Sequence, residues 1–141
     1  MINIITVEEV EHIAFRLAKE ELTFDEPIPE FRTRYPNRLE SCLSTPFQTF
    51  GKKDLYPTFF NKAAILFYLM NKNHPFANGN KRVAMSTLLY FLGEHNKWLE
   101  VNTQVLYNFA IWVAGSPPDA KQEVLKYIEK FLKNHIVPWK K

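Results

Sequence analysis

A chain of 141 residues with 46% hydrophobic and 15% aromatic side chains is too apolar for a disordered protein and long enough to bury its own core, so a single domain over 1–141 is expected. Four glycines among long helix-forming runs argue against a β-sandwich, and a net charge of +3 without any Lys/Arg tract supplies no direct nucleic-acid patch. One cysteine, Cys42, excludes an internal disulfide; no leader pattern and no apolar run of membrane-spanning length is present, so a cytoplasmic protein with no membrane partner is expected.

In chain order, Thr6-Val7-Glu8-Glu9 is a capping box with Ile5 and Val10 as its hydrophobic staple. The helix it opens carries Val10, Ile13, Ala14, Leu17 and Ala18 on one face and leaves His12 and the charged residues to solvent. Residues 24–36 hold three prolines and mixed charge and read as a loop. Arg32, Arg34 and Arg38 cluster near its end, either as solubilising charge or as a positive rim beside a nucleotide. Residues 39–43 predict a short helix with Cys42 as a packed core thiol. Residues 44–56, with β-leaning side chains on both sides of Gly51, predict a small hairpin. It closes over the core, or it pairs an extended peptide by adding a strand.

Pro57 suits the first turn of the following helix, which is expected to run to about Asn73. Residues 59–70 are apolar on nearly every face, and 83–92 almost as apolar, so each predicts a central buried helix. Trp98-Leu99-Glu100-Val101 predicts a short extended connection. Asn102 or Thr103 caps a helix with Val105, Leu106, Phe109, Ala110 and Val113 inside, stopped by Gly115. Ser116-Pro117-Pro118 opens the last, with Val124, Leu125, Ile128, Phe131 and Leu132 inside. The expected fold is an all-α helical bundle with one small β-hairpin.

Between the two buried helices stands His74-Pro75-Phe76-Ala77-Asn78-Gly79-Asn80-Lys81-Arg82. Pro75 disfavours helical geometry at His74, and Asn78-Gly79 tolerates positive φ. Asn80 is expected to cap the next helix, which puts Lys81 and Arg82 in its first turn. There the helix dipole opposes cations by a few tenths of a kcal/mol or more each, roughly, and free N–H groups add to the positive potential. An anion at that spot, a phosphate above all, resolves the conflict. His74 then lies on the opposite rim, ready to act on a group beside the anion. The alternative is a surface turn with two solvated bases and a capping histidine.

The pattern His74-x-Phe76-x-x-Gly79-Asn80-Lys81-Arg82 resembles the active-site loop of the Fic/Doc family, in particular its death-on-curing (Doc) branch. The general Fic loop has an acidic residue before Gly-Asn, then Gly-Arg and a second Arg three places later. Here Lys81-Arg82 follows, and Met85 stands at the second Arg position. Segments 38–43, 46–51 and 54–58 also resemble Doc-branch sequence, so the resemblance runs from Arg38 to about Asn96.

The resemblance implies a Fic-fold bundle whose hairpin is a flap, with Phe47, Thr49 and Phe50 lining up the target segment. It implies His74 as general base, Phe76 as the anchor of the loop, and Gly79, Asn80, Lys81 and Arg82 as phosphate-binding groups, with His74, Lys81 and Arg82 catalytic. ATP or another nucleoside triphosphate is the implied substrate, with Mg²⁺. Asn78 stands where the family carries its acidic metal ligand, and a neutral amide is the poorer one. Typical Fic enzymes move AMP, whereas Lys81 and Met85 go with a reversed nucleotide and transfer of the terminal phosphate to a Ser or Thr hydroxyl. A kinase-type toxin is therefore implied, with AMP transfer or a catalytically silent binding module as alternatives. The implied partners are a target protein such as translation elongation factor Tu and a neutralising antitoxin of Phd type. The self-inhibiting helix motif of many Fic proteins is absent, so restraint is expected from another chain.

Overall fold

The structure is a computed structural model and describes residues 1–22 and 27–139. The two apolar segments become its innermost helices. In α4 (Phe59–Lys72) every residue from Lys62 to Asn71 is buried, and α5 (Asn80–Gly93) exposes little more than Lys81, Leu89 and Tyr90. They pack along each other, and α4 also packs on α6 (Thr103–Ala114) and α7 (Lys121–His135). Burial of this kind, not helix propensity, holds such segments in place.

At the N-terminus the capping box forms as expected: the Thr6 hydroxyl accepts from Glu9 N–H at 3.1 Å and the Glu9 carboxylate accepts from Thr6 N–H at 2.9 Å. Helix α1 (Val7–Glu9) then runs through a π-helical stretch (Val10–Ala14) into α2 (Phe15–Glu21). The wider turn rotates the apolar face. Val10, Ala14, Phe15 and Ala18 are buried, whereas Ile13, expected inside, is 44% exposed. The start of the expected 24–36 loop lies outside the described residues.

Helix α3 (Pro36–Ser44) begins three residues earlier than predicted, on a proline at its first position, where a missing N–H costs nothing. It buries Cys42 completely, and burial pushes that thiol up to about 12, so the residue is the packed thiol the sequence predicts. The hairpin is present as β1 (Thr49–Phe50) and β2 (Lys53–Asp54), turned by Gly51 and Lys52 at φ 58° and 68°. Thr58, not Pro57, opens α4: its hydroxyl accepts from Asn61 N–H at 3.0 Å, which leaves Pro57 just outside the helix. Asn102 caps α6 by accepting from Gln104 N–H at 2.7 Å, and Val105 of that helix faces solvent rather than the core.

The bundle class holds, with one addition. Strand β3 (Lys97–Leu99) pairs antiparallel with β4 (Ile136–Pro138), Trp98 opposite Val137, and the rings of Trp98 and Trp139 come within 5.2 Å. The sequence predicts only an extended connection at 98–101, because the partner strand comes from the far end of the chain. Among the described residues no helix is long and apolar enough to cross a membrane.

Candidate functional site

The loop between α4 and α5 is shaped by three anchors. Its deepest is Phe76, 3% exposed, with ring centroids 5.4 Å from Phe15 and 5.8 Å from Phe31. The second is Asn80: its Oδ1 accepts from Phe76 N–H at 2.9 Å and its Nδ2 donates to the Phe76 carbonyl at 2.8 Å. The third comes from the start of α3, where Tyr35 N–H donates to the Pro75 carbonyl at 2.8 Å and Arg38 donates to the His74 carbonyl at 3.3 Å. The Arg38 guanidinium lies 4.3 Å over the Tyr35 ring, which steadies it. His74, thus held, sits at φ 47°, a left-handed conformation that few residues other than glycine adopt.

Gly79, at φ 79°, is the residue that caps α5, and its N–H donates to Asn78 Oδ1 at 2.8 Å. A Cβ on Gly79 would lie 2.6 Å from Ile28 Cγ1, so both backbone and space demand glycine. Asn80 is therefore the first helical residue and not the cap expected from sequence. Lys81 and Arg82 follow in a first turn that has no acidic residue. Lys81 is half-buried, whereas Arg82 is only 4% exposed and its guanidinium lies beside Gly79.

The structure brings His74, Gly79, Asn80, Lys81 and Arg82 to one helix N-terminus. His74 is exposed, and its Nδ1 stands 3.5 Å from Asn80 Nδ2. An amide N–H facing Nδ1 places the lone pair of the neutral ring there and the proton on Nε2. The Asn80 carboxamide, committed to Phe76 and His74, has no donor left to aim at solvent. What remains for an anion is the N–H groups that a helix start leaves without intrahelical partners, together with the two cations.

Phe47, Thr49 and Phe50 are fastened elsewhere. Lys62, 4% exposed in the first turns of α4, donates from Nζ to the Pro46 carbonyl at 3.2 Å and the Tyr56 carbonyl at 2.5 Å, and reaches Asp54 Oδ2 at 3.5 Å. One ammonium thereby ties both ends of the hairpin to α4. Lys62 and Lys72 are roughly 15 Å apart along the helix at about 1.5 Å per residue, so the hairpin is rooted at the end of α4 remote from His74. Phe47 packs inward with the Lys62 ammonium 5.1 Å from its ring, whereas Thr49 and Phe50 face solvent, Phe50 with 80% of its surface.

For magnesium the donor set is thin. Among the described residues no group of three His, Cys, Asp or Glu side chains gathers to hold a metal ion. Asn78 offers one amide oxygen, already accepting from Gly79 N–H. These residues form no magnesium seat of their own. Sequence reasoning missed Asn80 as a clamp, the grip of Tyr35 and Arg38, and the Lys62 tie. Each joins segments distant in the chain or uses a side-chain direction that spacing does not encode.

The sequence model of the Fic/DOC family matches residues 4–92. No curated protein and no solved structure matches the chain.

Proposed function

The chain belongs to the Fic/DOC family, whose members are protein-modifying transferases that use nucleoside triphosphates, and from that premise we propose that it moves the terminal phosphate of ATP or a related triphosphate onto a Ser or Thr hydroxyl of a target protein, as in the Doc branch. The observation that carries this reading is a pair of cations, Lys81 and Arg82, in an α5 first turn without acidic residues, beside the exposed imidazole of His74. The γ-phosphate sits against the N–H groups of that turn, with Lys81 and Arg82 offsetting its charge. The target hydroxyl gives its proton to His74, and its oxygen forms the new bond to phosphorus as the bond to the β,γ-bridging oxygen breaks and the diphosphate leaves. Because Nδ1 holds the lone pair, the hydroxyl approaches on that side or the ring turns over first. Phosphoryl transfer asks mainly for positioning and charge stabilisation, which this loop supplies. Magnesium arrives with the triphosphate and would touch the chain at Asn78; no step here depends on it.

Met85 supports terminal-phosphate transfer over AMP transfer. It occupies the place of the second family arginine and is fully buried, so that position offers no charge to a nucleotide lying the other way. On this reading the protein is a toxin, elongation factor Tu is a candidate target, and a Phd-type antitoxin restrains it. ATP labelled at either the α- or the γ-phosphate, mixed with the protein, Mg²⁺ and cell lysate, tests the reaction. Label transferred from the γ position and lost in His74→Ala is expected. Label from the α position alone makes it an AMP transferase. No label from either, with none restored by Asn78→Asp, makes it a silent binding module.

A further inference from the structure

Helix α6 lies on the surface yet carries no charged residue, and Ile111 and Trp112 are 45% and 46% exposed. Trp112 meets Tyr127 of α7, 56% exposed, ring edge to face at 5.6 Å. These two rings form a ridge between two grooves of about 330 Å³ each, one running toward Phe131 and His135, the other toward Pro117. The ridge is rigid: Phe109 stacks on Trp112 at 5.7 Å and on Phe131 at 4.2 Å, and the stack continues inward to Phe67 at 6.0 Å. A solvent-facing helix that is apolar and uncharged marks a contact surface. Exposed Trp and Tyr on a fixed base are the residues that carry binding energy at such surfaces.

The charge around it selects the occupant. Lys126 and Lys130 of α7, both exposed, flank Tyr127, and His135 closes the far end; the one acidic residue lining either groove is Glu123. A second copy of this chain would bring lysines against lysines, so the face is not self-complementary. We propose that this α6–α7 face docks an acidic amphipathic helix of a protein partner, its apolar side chains seated on either side of Trp112 and its carboxylates on Lys126 and Lys130. The docked helix lies at a place continuous with the loop: Lys72, the last residue of α4 before it, holds the carbonyls of Ala114 and Ser116 at the end of α6.

Calorimetry with a synthetic amphipathic peptide of about five helical turns, Leu and Phe on one face and Glu on the other, tests this on the full chain. A counterpart peptide with Lys in place of Glu is the control. Saturable binding of the acidic peptide is expected, weakened about tenfold or more by Lys126→Glu with Lys130→Glu, by Trp112→Ser and by high salt, with no binding of the control. The lysine pair is exposed and leaves folding intact, so it decides the outcome should Trp112→Ser unfold. Equal binding of the two peptides, no saturation, or indifference to the lysine variants overturns the proposal. So does a dimer in sedimentation that Trp112→Ser dissolves, because a second copy then covers the face.

Discussion

The Asn80 carboxamide pairs with the Phe76 backbone as a neighbouring strand would, accepting from its N–H at 2.9 Å and donating to its carbonyl at 2.8 Å. One side chain at the start of α5 thereby closes the loop that starts at His74, and its second amide hydrogen faces the His74 ring. The geometry of the candidate base and the closure of the loop are thus a single contact set.

Asn80→Ala is expected to lower stability by about 1–3 kcal/mol, because it strands a buried N–H and a buried carbonyl of Phe76. Urea denaturation measures this. Transfer activity should fall further than stability accounts for, since the His74 ring loses its neighbour. Unchanged stability would remove Asn80 as the clamp.

Gly79→Ala forces a side chain into φ 79° and against Ile28. The left-handed conformation alone costs roughly 1–2 kcal/mol. Adding Ile28→Ala should return the steric part and leave the backbone part. A double-mutant cycle in thermal or urea unfolding separates the two.

Lys62→Met keeps the bulk of the buried side chain and deletes its three contacts to the hairpin. Hydrogen exchange is expected to speed up at Leu55, whose N–H donates to the Gln48 carbonyl across the hairpin, while amides in the middle of α5 keep their protection. An unaltered rate at Leu55 would mean that the turn and strands hold themselves.

Alkaline pH should destabilise the fold. The Cys42 thiol is pushed up to about 12 by burial, and the Tyr90 hydroxyl is raised by burial and by its hydrogen bonds to Glu9 and Glu94. Both groups are held protonated in the folded state. Their contribution is complete below the unfolded values, about 8.5 for Cys and about 10 for Tyr, and is lost as pH rises toward the folded ones. Each unit of pH in that window costs up to about 1.4 kcal/mol per group. The melting temperature should fall between neutral pH and pH of about 10.5, more shallowly in Cys42→Ala. Native Cys42 should also resist iodoacetamide and react once the chain is denatured.

Local chemistry determined much of this protein. The apolar runs at 59–70 and 83–92 form central helices because no face of either tolerates water, and Thr6, Thr58 and Asn102 cap helices through bonds spanning two or three residues. The motif at 74–82 turns where Pro75 and Gly79 make it turn. Tertiary structure alone decided the rest. An asparagine beside a helix start has two outlets of similar energy, capping or reaching back, and only the position of Phe76 chooses between them. Arg82 is sequestered because Gly79 leaves room beside it, and the hairpin is rooted far from His74 because Lys62 lies at the opposite end of α4. Strand β3 finds β4 because α6 and α7 fold back together, a long-range closure to which no window of the sequence responds.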